Sequence, residues 1–173
     1  MKTLVIYNSQ TGFTKRYAQW IAEKTDAQCV ELKDAKKIDL NEFDSIIFGG
    51  WAMAGTITKV KWFCIKAQGL QGKKLAAFCV GASPVENPEI DEFLRKTSAQ
   101  EEFKNIKVFF CPGGLDYEKM SVASRTAMKM FVKMLDSNKN KTEGDLKQIE
   151  MMSSSYDISD KKYIEPIVEY IKG

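Results

Sequence analysis

The chain predicts an α/β fold, a three-layer, doubly wound, five-stranded parallel sheet. Three observations carry that prediction. Short apolar runs alternate with helical patterns along the chain. The runs lack strict apolar–polar alternation, as strands buried on both faces do. A hydroxyl-rich turn with one glycine lies between the first run and the first helix, on the sheet edge where such folds bind ligands.

The five runs are Leu4–Tyr7, Cys29–Leu32, Ser45–Phe48, Leu75–Val80 and Val108–Cys111. The first helix covers Lys15–Lys24 and carries Tyr17, Trp20 and Ile21 at helical spacing. A second is expected from Thr58 to Ala67, with Val60, Phe63 and Cys64 on one side. Pro88 marks a favoured helix start, so a third runs from there towards Phe103. The last is expected over Asp160–Lys172, with Pro166 in its first turns, where a missing N–H is tolerated. Right-handed crossovers place all strand C-termini on one edge. Residues 113–159 interrupt the alternation with an extra helix, Lys119–Leu135, and a polar stretch, Asp136–Asp145, read as an exposed loop. The 173 residues are read as one domain carrying this insertion.

The first turn is Asn8-Ser9-Gln10-Thr11-Gly12-Phe13-Thr14. The opening turn of a helix leaves backbone N–H groups unpaired, and the helix dipole favours negative charge there. Ser9, Thr11 and Thr14 add three neutral hydroxyl donors. That set suits a phosphate with no cationic side chain; the plainer alternative is an N-cap turn. After the third run comes Gly49-Gly50-Trp51-Ala52-Met53-Ala54-Gly55-Thr56. Small residues admit a flat ligand close to the backbone, and an indole can stack on one. The alternative is a turn with Trp51 capping the core. After the fourth run, Gly81-Ala82-Ser83 offers amides and a hydroxyl, or simply a connection. After the fifth, Pro112–Tyr117 can approach the same edge.

Composition narrows the chemistry. The chain has no histidine, which removes His-based triads and His general bases. Cys29, Cys64, Cys79 and Cys111 stand apart with apolar neighbours, so no metal site is expected; buried free thiols in a reducing cytosol are. No apolar stretch approaches the ~20 residues of a membrane span, and Met1-Lys2 leads directly into strand-like sequence without a signal peptide pattern. The lysines are scattered without a nucleic-acid-binding motif, so nucleic acid is not expected as a partner. The first turn lacks the Gly-Lys-Ser/Thr of a P-loop and the paired glycines of GxGxxG. It holds no phosphatase cysteine, and the third run ends in Gly49-Gly50 rather than a receiver aspartate. A monophosphate site beside a site for a flat ring survives, and FMN has both parts.

At this point the chain resembles flavodoxin-fold proteins. Ser9-Gln10-Thr11-Gly12-Phe13-Thr14 is similar to the family's Ser/Thr-x-Thr-Gly-x-Thr phosphate loop at every fixed position. The resemblance implies strand order 2-1-3-4-5 and FMN as cofactor. It implies that residues 9–14 hold the phosphate while Trp51–Thr56 and Gly81–Ser83 flank the ring. Gly113-Gly114-Leu115-Asp116-Tyr117 and Ala127-Met128-Lys129-Met130 resemble the oxygen-independent, quinone-linked protoporphyrinogen dehydrogenase branch. Trp51-Ala52-Met53-Ala54 departs from the tyrosine-bearing patterns of that branch.

Small electron-carrying flavodoxins are usually strongly acidic, the resemblance implies, whereas this chain carries a net +3. The resemblance therefore implies an FMN-dependent oxidoreductase acting on a quinone, a porphyrinogen or a similar planar compound. The alternatives are an electron carrier for a protein partner and a flavin-free scaffold. Helix Lys119–Leu135 bears Arg125, Lys129 and Lys133 on a Met-rich background. Its methionines are expected to pack on the sheet with the lysines solvated; the alternative is contact with an anionic membrane surface or a partner.

Overall fold

The computed structural model describes residues 1–173. Along the chain lie β1 (Thr3–Tyr7), α1 (Phe13–Thr25), β2 (Gln28–Glu31), α2 (Leu32–Ala35), β3 (Ser45–Met53), β4 (Thr56–Ile57), α3 (Val60–Ala67) and β5 (Lys74–Gly81). Then follow α4 (Pro88–Ser98), β6 (Lys107–Pro112), β7 (Gly114–Leu115), α5 (Val122–Ser137), α6 (Glu143–Met152), β8 (Tyr156–Asp157) and α7 (Glu165–Lys172). The five long strands are parallel, in the order β2-β1-β3-β5-β6, which is the expected 2-1-3-4-5. The short β4 folds back antiparallel on β3.

Each central strand sends alternate residues to opposite faces, and both faces are dry. Leu4, Ile6, Ile46, Phe48, Leu75 and Ala77 pack with Val60, Phe63 and Cys64 of α3. Phe48 stacks on Phe63 with centroids 5.6 Å apart. Val5, Ile47, Ala76 and Phe78 pack on the other side against Tyr17 and Ile21 of α1 and Ile167 and Ile171 of α7. This explains why the runs read as continuously apolar: period-2 strands with two buried faces have no polar side to show. Tyr17 lies fully buried between layers, donates its hydroxyl to the Pro112 carbonyl at 2.5 Å and accepts from the Asp160 amide at 3.2 Å.

The structure departs from the sequence reading at element ends. β3 continues past Phe48 to Met53, because Trp51 still pairs with Val80 before the strand turns into β4. The run Cys29–Leu32 loses Leu32 to the short α2. The third helix stops at Ser98 and resumes as a 3-10 turn, Glu101–Phe103. The last helix is split into a 3-10 turn, Lys161–Ile164, and α7, with Pro166 in the first turn of α7, where its missing N–H costs nothing. Asp136–Asp145 is not loop throughout: Thr142 and Asp145 form a reciprocal capping box that starts α6 at Glu143. Cys64, Cys79 and Cys111 are buried free thiols, and burial pushes the Cys64 thiol up to about 11; Cys29 is only half-buried.

Candidate functional site

The site begins where β1 leaves the sheet. The Asn8 amide donates to the Gly49 carbonyl at 2.8 Å, which ties this turn to β3. The chain then needs a left-handed residue to enter α1, and Gly12 supplies it at φ 102°. The Gly12 amide donates to Ser9 Oγ at 3.2 Å, closing the loop on itself. The first intrahelical bond runs from the Arg16 amide to the Gly12 carbonyl at 3.0 Å. No protein acceptor meets the amides of Gln10, Thr11, Phe13, Thr14 and Lys15.

These unpaired donors lie around residues 9–14, at the positive end of the α1 dipole, and α1 has no acidic residue in its first turn. Thr14 is 2% exposed overall, and its hydroxyl makes no hydrogen bond to protein but keeps some access to solvent at the turn. The Asn8 Nδ2 group is buried without an acceptor. Native proteins rarely leave such groups orphaned. An anion with several acceptor oxygens would pair them, so the donors fit a phosphate. Phe13 contributes only its amide; its ring is part of the core under α1. Gln10 points outward and reaches Ser121 Oγ at 3.5 Å, so the N-terminus of α5 stands beside the turn. Arg16, the nearest guanidinium in sequence, is engaged with Asp157 at 2.5 Å and Ser159 at 2.8 Å. The set is therefore neutral donors, as the sequence suggests.

Residues 51–56 are a projecting β-hairpin rather than a loop. Its turn is made by Ala54 at φ 50° and Gly55 at φ 75°, both left-handed as a two-residue hairpin requires. Thr58 clamps its base: Oγ1 accepts from the Trp51 amide and donates to the Trp51 carbonyl, both at 3.1 Å. Trp51 is half-buried, while Ala52, Met53, Ala54, Gly55 and Thr56 are exposed. The glycines at this edge serve the protein itself. A Cβ on Gly49 would lie 2.1 Å from the Phe78 ring, one on Gly50 2.6 Å from the Thr58 carbonyl, and one on Gly81 2.6 Å from the Phe110 ring. Close backbone approach by a flat ligand is thus not why these glycines are small.

The third predicted segment, Gly81-Ala82-Ser83, joins the same edge. The Gly113 amide donates to the Gly81 carbonyl at 2.7 Å, which brings the loop after β6 alongside. There β7 pairs with β8, and the Tyr156 hydroxyl donates to the Ala82 carbonyl. Burial pushes that phenol well above its ordinary range, so it is a fixed neutral donor. Tyr156 escapes a sequence reading: it follows Ser153-Ser154-Ser155 in polar surroundings, with no periodicity to mark it. Asn8 was visible in the turn, but nothing in the sequence showed that its amide nitrogen would be buried.

A doubly wound parallel α/β protein with a cluster of unpaired neutral donors at the β1–α1 switch point is thereby defined. The family model of the flavodoxin domain matches residues 4–142. The chain belongs to that family, an FMN-binding one. Among solved structures, an archaeal flavodoxin is 18% identical, with 100% of both chains covered and a TM-score of 0.47. A flavoprotein from Lactobacillus acidophilus in complex with FMN is 19% identical, covering 64% of this chain and 91% of that one, at a TM-score of 0.48. Oxidised flavodoxin 2 from Bacillus cereus is 22% identical over 65% of this chain and 84% of that one, at a TM-score of 0.46. No curated protein matches.

Proposed function

We propose that the protein is an FMN-dependent oxidoreductase that passes electrons to or from a quinone, a porphyrinogen or a similar planar compound. The observation that carries the cofactor reading is the β1–α1 turn, with its unpaired amides and the buried Asn8 Nδ2 group that no protein acceptor meets. The Ser9, Thr11 and Thr14 hydroxyls and the amides of Gln10, Thr11, Phe13, Thr14 and Lys15 would hold the phosphate. The hairpin at Trp51–Thr56 and the Gly81–Ser83 loop would flank the ring. Bound flavin supplies reversible electron acceptance, which no side chain of this protein provides. The protein's own part is to orient the ring, limit water around it and set its surroundings. Thr58 keeps the hairpin in register, and Tyr156 keeps the opposite loop in place. No residue here is asked to act as an acid or base.

The mild net positive charge supports an enzyme over a carrier steered by an acidic face. The carrier reading, with a protein partner, separates from it by turnover. Quinone or protoporphyrinogen turnover by the isolated protein is expected; failure of both, with two resolved one-electron steps in a reductive titration, favours the carrier.

The cofactor reading is tested by flavin fluorescence titration of the purified protein. Wild type is expected to bind FMN stoichiometrically. Thr11→Ala/Thr14→Ala is expected to weaken it by roughly 1–3 kcal/mol per lost hydrogen bond to the charged group. Thr14→Ser, which keeps the hydroxyl, should recover most of the Thr14 share. Equal FMN affinity in the double variant and wild type would remove the phosphate assignment.

A further inference from the structure

Helix α5 does not pack as its composition leads one to expect. Not one of its sixteen residues is buried. Its inward stripe, Ser124, Arg125, Met128, Val132 and Leu135, is only half-buried. The opposite side carries Ala123, Ala127, Met130 and Met134 at three- and four-residue spacing, all exposed. Met130 is 67% and Met134 60% exposed, and Phe131 at 39% widens the stripe. Leu146 on the neighbouring α6 is 52% exposed and Val122 80%. Five of the nine large hydrophobic side chains exposed anywhere in the chain therefore sit on this helix pair. Apolar exposure concentrated in this way marks an interaction surface.

On α5 itself the charge beside the stripe has one sign, whereas Glu143 and Glu150 of α6 flank Leu146. Lys129 and Lys133 lie next to it at four-residue spacing, and both are exposed. No carboxylate pairs with either, whereas Lys119 and Lys141, beyond the two ends, are held by Asp116 and Asp136. Residues 119–135 contain four cations and no acid. The stripe stands on a convex helix, and its anchors are flexible methionines. Such a ridge suits a fluid receptor, which closes around it, better than a rigid groove.

We propose that the exposed face of α5 docks the protein onto an anionic lipid bilayer. Met130, Phe131 and Met134 enter the interface, and Lys129 and Lys133 sit at the headgroups. The surface belongs to α5 and α6 alone and does not depend on the cofactor. Its consequence does rest on the FMN reading: Ser121, at the head of α5, touches Gln10 of the phosphate-holding turn, so docking brings the bound cofactor near the lipid, where apolar planar acceptors dissolve.

The test is co-sedimentation with phosphatidylcholine vesicles, with and without an equal share of phosphatidylglycerol, at low and high salt. Binding is expected to be about tenfold or more stronger on the anionic vesicles and to fall as salt rises. Lys129→Glu/Lys133→Glu should lower anionic binding about tenfold or more. Met130→Ser/Met134→Ser changes exposed positions only, so it should fold normally by circular dichroism yet lose several-fold in binding. Equal binding to both vesicle types, or no loss in the methionine variant, overturns the proposal. So does polyglutamate bound as tightly as the vesicles, which would identify an acidic protein partner. Parallel FMN titration of the same variants should show no change. FMN affinity and vesicle binding are read separately, so either reading can fail without the other.

Discussion

Gly49 shows how a single residue connects core and site. It lies in β3 opposite both Tyr7 and Phe78, and the Phe78 ring fills the space where a side chain would stand. Its carbonyl also receives the Asn8 amide, which fixes the start of the β1–α1 turn. Gly49→Ala would therefore strain the core and shift that turn together. A destabilisation of about 1–3 kcal/mol is expected by urea unfolding, as for other overpacked cores. Gly49→Ala/Phe78→Leu should recover part of it by vacating ring volume. Sequence reading found the glycine and gave it a ligand's reason; the reason is a phenylalanine 29 residues away. Thr14 is the opposite case. The motif marked its position, and the structure places the residue, 2% exposed, in the first turn of α1.

At the scale of elements, one hydroxyl reinforces the base of the β3–β4 hairpin, beside the Thr58 amide's own bond to the Trp51 carbonyl at 2.9 Å. Thr58 is 5% exposed and its Oγ1 serves both the amide and the carbonyl of Trp51. Thr58→Val keeps the shape and removes both bonds. It leaves the Trp51 amide unpaired, at a cost of about 1–3 kcal/mol. Faster hydrogen exchange at the Trp51 amide, with little change at α1, is the expected signature. The five helices read from the sequence were legible because their apolar residues recur at helical spacing, and their ends moved; α2 and α6 were missed. Those ends answer to caps and prolines: Ser121 starts α5, Thr142 starts α6 and Pro166 starts α7. The short strands β4, β7 and β8, two residues each, carry no periodicity to read.

For the whole molecule, the C-terminal end of the insertion after β6 is fastened back over the sheet edge that carries the β1–α1 turn and the Gly81–Ser83 loop. Tyr156 bonds Ala82, and Arg16 of α1 grips Asp157 and Ser159. Burial acts to raise the Asp157 carboxyl, but its bonds from Arg16 and Ser159 prevail and hold it below the ordinary carboxylate range. A carboxyl lowered by folding stabilises the native state while ionised. That contribution is present above the unfolded value, about 4, and lost as pH falls through the folded value. The partners are 43% and 45% exposed, so solvent screening limits it to about 1 kcal/mol or less. The stability gap between wild type and Asp157→Asn, measured by urea unfolding, should be constant from pH 6 to 8 and close below about pH 4.

What the sequence determined by itself was the layered sheet, the strand order through its family likeness, and the position and chemistry of the β1–α1 turn. These rest on local patterns: apolar period, helix spacing, and hydroxyls next to a glycine. Tertiary structure alone decided why Gly49, Gly50 and Gly81 are small, that Tyr156 closes on Ala82, and that Met130 and Met134 of α5 face outward rather than onto the sheet. An amphipathic helix announces that it has an apolar side. Only the packing of its neighbours determines whether that side is covered, because contacts between distant segments leave no trace in local periodicity.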